Sequence, residues 1–156
     1  MSKLKNKIAF VTGGSRGIGA AIVRSLAKEG ASVIFTYVNS SVKAESLVNE
    51  LKDQGLSVKA IKADTSRPDE INAAITTAAE FTKIDILVNS AGLFITGSVN
   101  DDDIDLDALR KQWDVNVFGI AHTVRAFLPK MNDGGRIITI GSTGAVTMRS
   151  TLQVRL

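Results

Sequence analysis

Residues 12–19 read Thr-Gly-Gly-Ser-Arg-Gly-Ile-Gly (TGGSRGIG), and the reading of this stretch decides the fold. Before it, KIAFVT (residues 7–12) is apolar enough for a buried strand; after it, Ile18, Ala21, Ile22 and Leu26 recur at helical spacing. A strand that turns through spaced glycines into a helix opens a βαβ unit. In such a turn Gly13 and Gly17 adopt backbone angles that other residues avoid, and Gly19 lets the helix pack closely. The N–H groups of the helix's first turn, with its dipole, then form an anion site suited to a pyrophosphate. Three glycines alone are weak evidence; their place between a strand and a helix gives them weight.

The rest of the chain repeats the alternation. SVIFTYV (residues 32–38) reads as a second strand, followed by a helical stripe of Ala44, Leu47, Val48 and Leu51 that Gly55 closes. SVKAIKA (57–63) is a third strand leading to Asp64, and Pro68 at the first helical position opens a helix carrying Ile71, Ala74, Ile75 and Ala78. IDILVN (84–89) and RIITIG (136–141) are the fourth and fifth strands. Between them a longer helix places Leu109, Trp113, Ile120, Val124 and Leu128 on or near one face, with His122 also expected at the packing face. Strands separated by helices imply right-handed crossovers, a parallel sheet and helices on both faces. The fold class is therefore α/β, a Rossmann-type doubly wound parallel sheet with five strands present. Residues 1–143 form the NAD(P)-binding domain and residues 144–156 a tail of different character.

Composition narrows the function. The 156 residues carry a net charge of +3, 44% hydrophobic and 22% charged residues, one histidine and no cysteine. A lone His122 and no thiolate exclude a zinc site, and the lack of cysteine fits a reducing, cytoplasmic home. The basic residues are scattered, with only Arg149 and Arg155 locally uncompensated, so nucleic acid is not an expected partner. No apolar run reaches membrane-spanning length, which excludes a membrane partner by insertion. Asp101, Asp103, Asp105 and Asp107 alternate like the start of a calcium loop. Leu106 and Gln112 stand where such a loop needs glycine and glutamate, so these acids read as helix-capping and dipole-matching residues, and no metal is expected.

The glycine spacing, T-G-x-x-x-G-x-G, resembles that of the short-chain dehydrogenase/reductase family, of the type that includes ketoacyl reductases. Sugar-nucleotide epimerases on a related fold show T-G-x-x-G-x-x-G instead. The resemblance runs from about Lys7 to about Thr143. Besides Thr12–Gly19, it takes in Asp64 after the third strand, NSAG (89–92) after the fourth and DVNVFG (114–119) with Asn116 in the long helix. It ends on Ser142 after the fifth strand. It implies a cofactor site built from Thr12, Gly13, Ser15, Arg16, Gly17, Ile18 and Gly19, with Tyr37, Asn39 and Ser40 at the second strand. Asp64 and Thr65 would meet the adenine edge, and Asn89, Ala91 and Gly92 would pack near its ribose.

An acid at the end of the second strand would bind a ribose 2′-hydroxyl. This chain has Tyr37 there, then Val38-Asn39-Ser40-Ser41, and no carboxylate. Arg16 can pair with a 2′-phosphate and the following side chains can donate to it, so NADP(H) is the expected cofactor.

The resemblance also implies a catalytic set of Asn, Ser, Tyr and Lys acting on a small carbonyl or alcohol substrate, in a protein that forms homo-oligomers. Asn116 and Ser142 match the first two. The Y-x-x-x-K of the next helix has no counterpart here, since Tyr37 is the only tyrosine and Lys111 and Lys130 lie on the wrong helix. The chain is thus expected to be truncated and inactive or nearly so. RIITIG would be left as an apolar sheet edge and the long helix with a bare outer face. A different class remains open: a non-catalytic nucleotide-binding or oligomer-interaction module.

Overall fold

The alternation folds as β1 (Ile8–Thr12), α1 (Gly17–Lys28), β2 (Ser32–Tyr37), α2 (Ser41–Lys52), β3 (Val58–Lys62), α3 (Pro68–Ala79) and β4 (Ile84–Asn89), then α4 (Leu106–Trp113), α5 (Gly119–Phe127) and β5 (Met131–Thr139). The computed structural model describes residues 2–79, 83–95 and 105–142. The expected tail 144–156, with Arg149 and Arg155, lies outside these residues, as do Asp101 and Asp103 of the acidic run. All five strands are parallel, in the order β3-β2-β1-β4-β5. The chain crosses from one half of the sheet to the other between β3 and β4. That leaves a crevice beyond the carboxyl end of the central strand β1, the switch point at which open α/β sheets bind ligands.

Burial on both faces explains the near-continuous apolar runs. Ala9 and Val11 join Val33 and Phe35 under α1 and α2, whereas Phe10, between them, points to the opposite face with Ile71, Leu87 and Phe127. The Phe10 and Phe127 rings meet at 4.7 Å and 58°, a tilted pair that ties the central strand to α5.

The long helix departs from the expected periodicity. Its buried positions are Gln112, Val115, Gly119, Thr123 and Phe127, while Trp113 and Leu128 are exposed and so is His122. Trp113 already stands one residue off the buried face at Gln112, and a π turn at Asp114–Phe118 then joins α4 to α5. One extra residue in a turn rotates everything beyond it, so a 3.6-residue stripe drawn through it selects the wrong face. Polar residues hold two of the buried places: Thr123 donates to the Gly119 carbonyl at 2.7 Å, and Gln112 accepts from the Ile95 N–H. At the start of the helix Asp105 accepts from the Ala108 N–H at 2.9 Å, the capping role expected of the acidic run.

β5 also starts earlier than its apolar run suggests. Ile84 pairs with Met131 but Ile86 with Arg136, so residues between bulge out, with Gly134 at φ +75°. Among the described residues β5 stands at the sheet edge, with Ile137 and Ile138 exposed on it and Ile140 exposed just past its end.

One buried carboxylate fastens these pieces. Asp85 in β4 is 7% exposed and accepts from Lys7 Nζ, Ile8 N and Asn132 Nδ2, each at 2.9 Å. Burial works to raise its pKa, but the Ile8, Lys7 and Asn132 hydrogen bonds and the Lys7 charge outweigh it and hold the carboxyl below its ordinary value. The unfolded chain therefore binds this proton more tightly than the folded one. The stabilisation is complete above the ordinary carboxylate pKa of about 4 and is lost as the pH falls through the lower folded value. Asp85→Asn is expected to cost about 1.5–3 kcal/mol in denaturant unfolding at neutral pH, and the deficit relative to wild type should shrink as the pH is lowered towards 3.

Candidate functional site

The turn between β1 and α1 forms one wall of a cleft of about 740 Å³ at the carboxyl edge of the sheet. Its shape is set by backbone. Gly17 sits at φ +54° with nothing within 4 Å of where a Cβ would stand, so it faces open space. At Gly19 a Cβ would lie 2.2 Å from the Gly13 carbonyl oxygen; the first turn of α1 is pressed against the glycine turn itself. The first amides of α1 have no partners within the helix, and Arg16 at the N-cap position provides no side-chain cap. No acidic residue lies in the first turn. These features together make a positive, donor-rich cradle at a helix N-terminus.

Ser15, Arg16, Gly17, Ile18 and Gly19 line the cleft with Gly13; Asn39 and Ser40 close it on the β2 side and Asp64 and Thr65 on the β3 side. Ala91 and Gly92, after β4, form the far wall. Three of the residues expected there stand back from it. Thr12 is buried, and its Oγ1 accepts from the Ser90 and Ala91 N–H groups at 3.0 Å each, pinning the β4 loop to the end of β1. Asn89 is buried under the same loop, where its Nδ2 donates to Thr139 Oγ1 at 3.3 Å. Tyr37 packs against the core beside α2 and lines a separate groove of about 710 Å³ with Glu45, Lys52 and Lys59.

Asn116 lies inside the π turn and reaches across to the loop after β4. Its Oδ1 accepts from Leu93 N at 2.9 Å and its Nδ2 donates to Leu93 O at 2.8 Å. One helical turn earlier Gln112 holds Ile95, so two side-chain amides clamp the loop through its backbone. Ser142 is exposed beyond the end of β5, on the same edge of the sheet as the glycine turn, but it does not line the cleft.

Lys111, weighed in the sequence only as a substitute catalytic lysine and set aside, stands in the cleft wall. Its Nζ lies 2.9 Å from Asp64 Oδ2 and also donates to Ser66 Oγ. Asp64 Oδ1 in turn accepts from Ser66 N at 2.9 Å and Ser66 Oγ at 2.7 Å. Burial tends to raise the Asp64 pKa, but the bonds from Lys111 and Ser66 and the Lys111 charge outweigh it and keep the carboxyl below its ordinary value. A signal was present: Lys111 and the cleft-lining Val115 are four residues apart and share a helix face. Ser90 of the NSAG stretch lines the cleft too, as does Leu93, which the sequence did not single out.

Among the described residues no group of three or more His, Asp or Glu could hold a metal ion, and no helix is long and apolar enough to cross a membrane.

A family model described as short chain dehydrogenase matches residues 7–154. An uncharacterized oxidoreductase of Methylorubrum extorquens is 36% identical over 143 residues, covering 91% of this chain and 57% of that protein. Among solved structures, a short-chain dehydrogenase/reductase from Serratia marcescens superposes with a TM-score of 0.90 at 44% identity, over 96% of this chain and 60% of that one. A short-chain dehydrogenase from Burkholderia cenocepacia, solved in complex with NADP, gives a TM-score of 0.90 at 40% identity with the same coverages, 96% and 60%. The chain thus spans well under two thirds of the length of each of these relatives.

Proposed function

This chain belongs to the short-chain dehydrogenase/reductase family, and on that premise we propose that its cleft binds NADP(H) in a protein that transfers a hydride between that cofactor and a carbonyl or alcohol substrate. The observation that carries the reading is the charge pattern of the cleft. Arg16 stands at its mouth beside the α1 N-terminus, the turn after β2 offers Asn39 and Ser40 instead of a carboxylate, and Asp64 is already neutralised by Lys111. A pyrophosphate fits the N-terminus of α1, and a 2′-phosphate meets a guanidinium and no repelling acid. The Burkholderia cenocepacia relative, solved in complex with NADP, supports the same choice.

When bound, the cofactor supplies the hydride; the chain's own residues position and polarise. Asn116 fixes the Leu93 backbone, and hence the wall of the cleft next to Gly92, through both ends of its amide. Ser142, at the same sheet edge, is the group we assign to orienting the substrate oxygen. Among the described residues no side chain stands ready as proton donor for a developing alkoxide. The only tyrosine is Tyr37, which faces another groove, and Lys111 is committed to Asp64. Loss of a positioned general acid costs about 10²–10⁴-fold in rate.

The 156-residue chain is therefore expected to bind NADPH without turning it over. NADPH binding followed by calorimetry, with NADPH oxidation followed by absorbance in the presence of a panel of small ketones, tests both halves. Turnover would contradict the missing-donor reading. Absence of binding would contradict the cofactor reading and favour a module that kept the fold for interaction alone. The exposed Phe118, Leu128 and Ile138 give that second reading its one specific support.

A further inference from the structure

We propose that Gln112 is a positioning residue of the cleft: from behind the far wall it fixes the loop after β4 through Ile95, and so governs how the nicotinamide half of the cofactor is held. The inference rests on the nucleotide reading of the cleft and goes beyond it, to a side chain that acts through the backbone.

Stability alone does not account for a glutamine at this place. Gln112 is 0% exposed, on a helix face whose other buried positions are Val115, Gly119, Thr123 and Phe127. Its Oε1 accepts from the Ile95 N–H, but its Nε2 has no hydrogen-bond partner. A buried donor left unsatisfied costs at least as much as one hydrogen bond typically returns, so an apolar side chain of the same size would serve the core as well or better. What an apolar side chain cannot supply is an acceptor for Ile95. Asn116 already takes both the N–H and the carbonyl of Leu93, so two side-chain amides together hold three backbone groups of the stretch Leu93–Ile95. The support behind them is firm. A Cβ at Gly119 would stand 2.8 Å from the Thr65 carbonyl oxygen, so the helix backbone there lies against the loop after β3.

The strand order says which half of the ligand this wall meets. Asn39, Ser40 and Asp64 line the cleft on the β2 and β3 side of β1, and Gly92 and Leu93 on its β4 side. A dinucleotide with its pyrophosphate at the α1 N-terminus and its 2′-phosphate towards Arg16 and Ser40 puts its adenosine over β2 and β3. The β4 side is left for the nicotinamide half, and the wall there is continuous with the stretch that Gln112 holds. Gln112 itself does not line the cleft, so its effect passes through the backbone between Ile95 and Leu93.

The test compares wild type, Gln112→Met and Gln112→Glu in binding NADPH and 2′,5′-ADP, which carries the adenosine half alone, with melting temperatures and exchange of the Ile95 amide alongside. Gln112→Met keeps the volume and removes the acceptor. It should weaken NADPH about five- to tenfold, leave 2′,5′-ADP within about twofold and speed Ile95 exchange about tenfold, with a melting temperature no lower than wild type. Gln112→Glu keeps an acceptor for Ile95 and brings a carboxyl that burial holds protonated, so it should recover most of the NADPH affinity at a lower melting temperature. A purely structural role would not produce that crossing of affinity and stability. The proposal is overturned if Gln112→Met binds NADPH as wild type does, if it weakens both ligands by the same factor, or if affinity follows the melting temperature across the two variants. Failure of wild type to bind either ligand would show instead that the reading of the cleft itself is wrong.

Discussion

Gly19→Ala is expected to remove NADPH binding from this chain, weakening it by more than about a hundredfold, or about 2.8 kcal/mol. The added Cβ would stand 2.2 Å from the Gly13 carbonyl oxygen and 3.1 Å from Gly14 Cα, both backbone, so neither can swing aside. Relief requires that the first turn of α1 move away from the glycine turn, which dismantles the anion cradle. The same displacement should cost about 1–3 kcal/mol of stability as overpacking, reduced by the better helix propensity of alanine, about 1 kcal/mol. Gly55→Ala is the control. That residue lies at φ +74° with nothing within 4 Å, far from the cleft, so it should lose about 1 kcal/mol of stability and none of the affinity. If Gly19→Ala binds NADPH as wild type does, the cofactor does not sit against this turn.

Arg16→Ala carries the second large expectation: NADPH affinity falls about 10–100-fold while NADH affinity changes by less than about twofold. A charge-assisted contact to phosphate is worth about 1.5–3 kcal/mol, and each 1.4 kcal/mol is a factor of ten. Arg16 holds the N-cap position of α1 with extended backbone and makes no side-chain cap bond, so its guanidinium is not needed to terminate the helix. Removing it should leave the melting temperature intact. Lysine at this position should recover only part of the affinity, because a point charge replaces a planar fork. Equal losses for both cofactors would instead mean that Arg16 acts on the shared pyrophosphate, and the preference for the 2′-phosphate would have to come from Asn39 and Ser40.

What the sequence displayed was the part written in local patterns. The glycine turn, the strand–helix alternation and Pro68 at the head of α3 each follow from a few adjacent residues, and all appear where expected. Asp64 and Thr65 were assigned through the family resemblance, and they line the cleft at the carboxyl end of β3. The long helix was misread from Trp113 onward: Gln112, Val115, Gly119 and Phe127 face inward and leave Trp113 and Leu128 outside, and the π turn at Asp114–Phe118 adds a residue in the middle of the pattern. No hydrophobic pattern reveals a buried glutamine, whose partner is a backbone N–H in a distant loop. The start of β5 was missed because Asn132, Asp133 and Gly134 look like a turn, and only the reach of Asn132 to Asp85 explains why the chain pairs there. Lys111 illustrates the same limit. Its partner lies 47 residues away, and charge on a helix surface carries no address until the fold supplies one.

The central claim, that a dinucleotide lies across the carboxyl edge of the sheet against the α1 N-terminus, is tested most directly by amide chemical shifts of the wild-type chain titrated with NADPH. The largest shifts should fall on Gly17, Ile18 and Gly19, with further shifts at Asp64, Thr65, Ala91 and Gly92, the residues that line the cleft. The groove of similar size beside α2, at Glu45, Lys52 and Lys59, should stay silent. Shifts centred on that groove, or none at the glycine turn at saturating NADPH, would contradict the account.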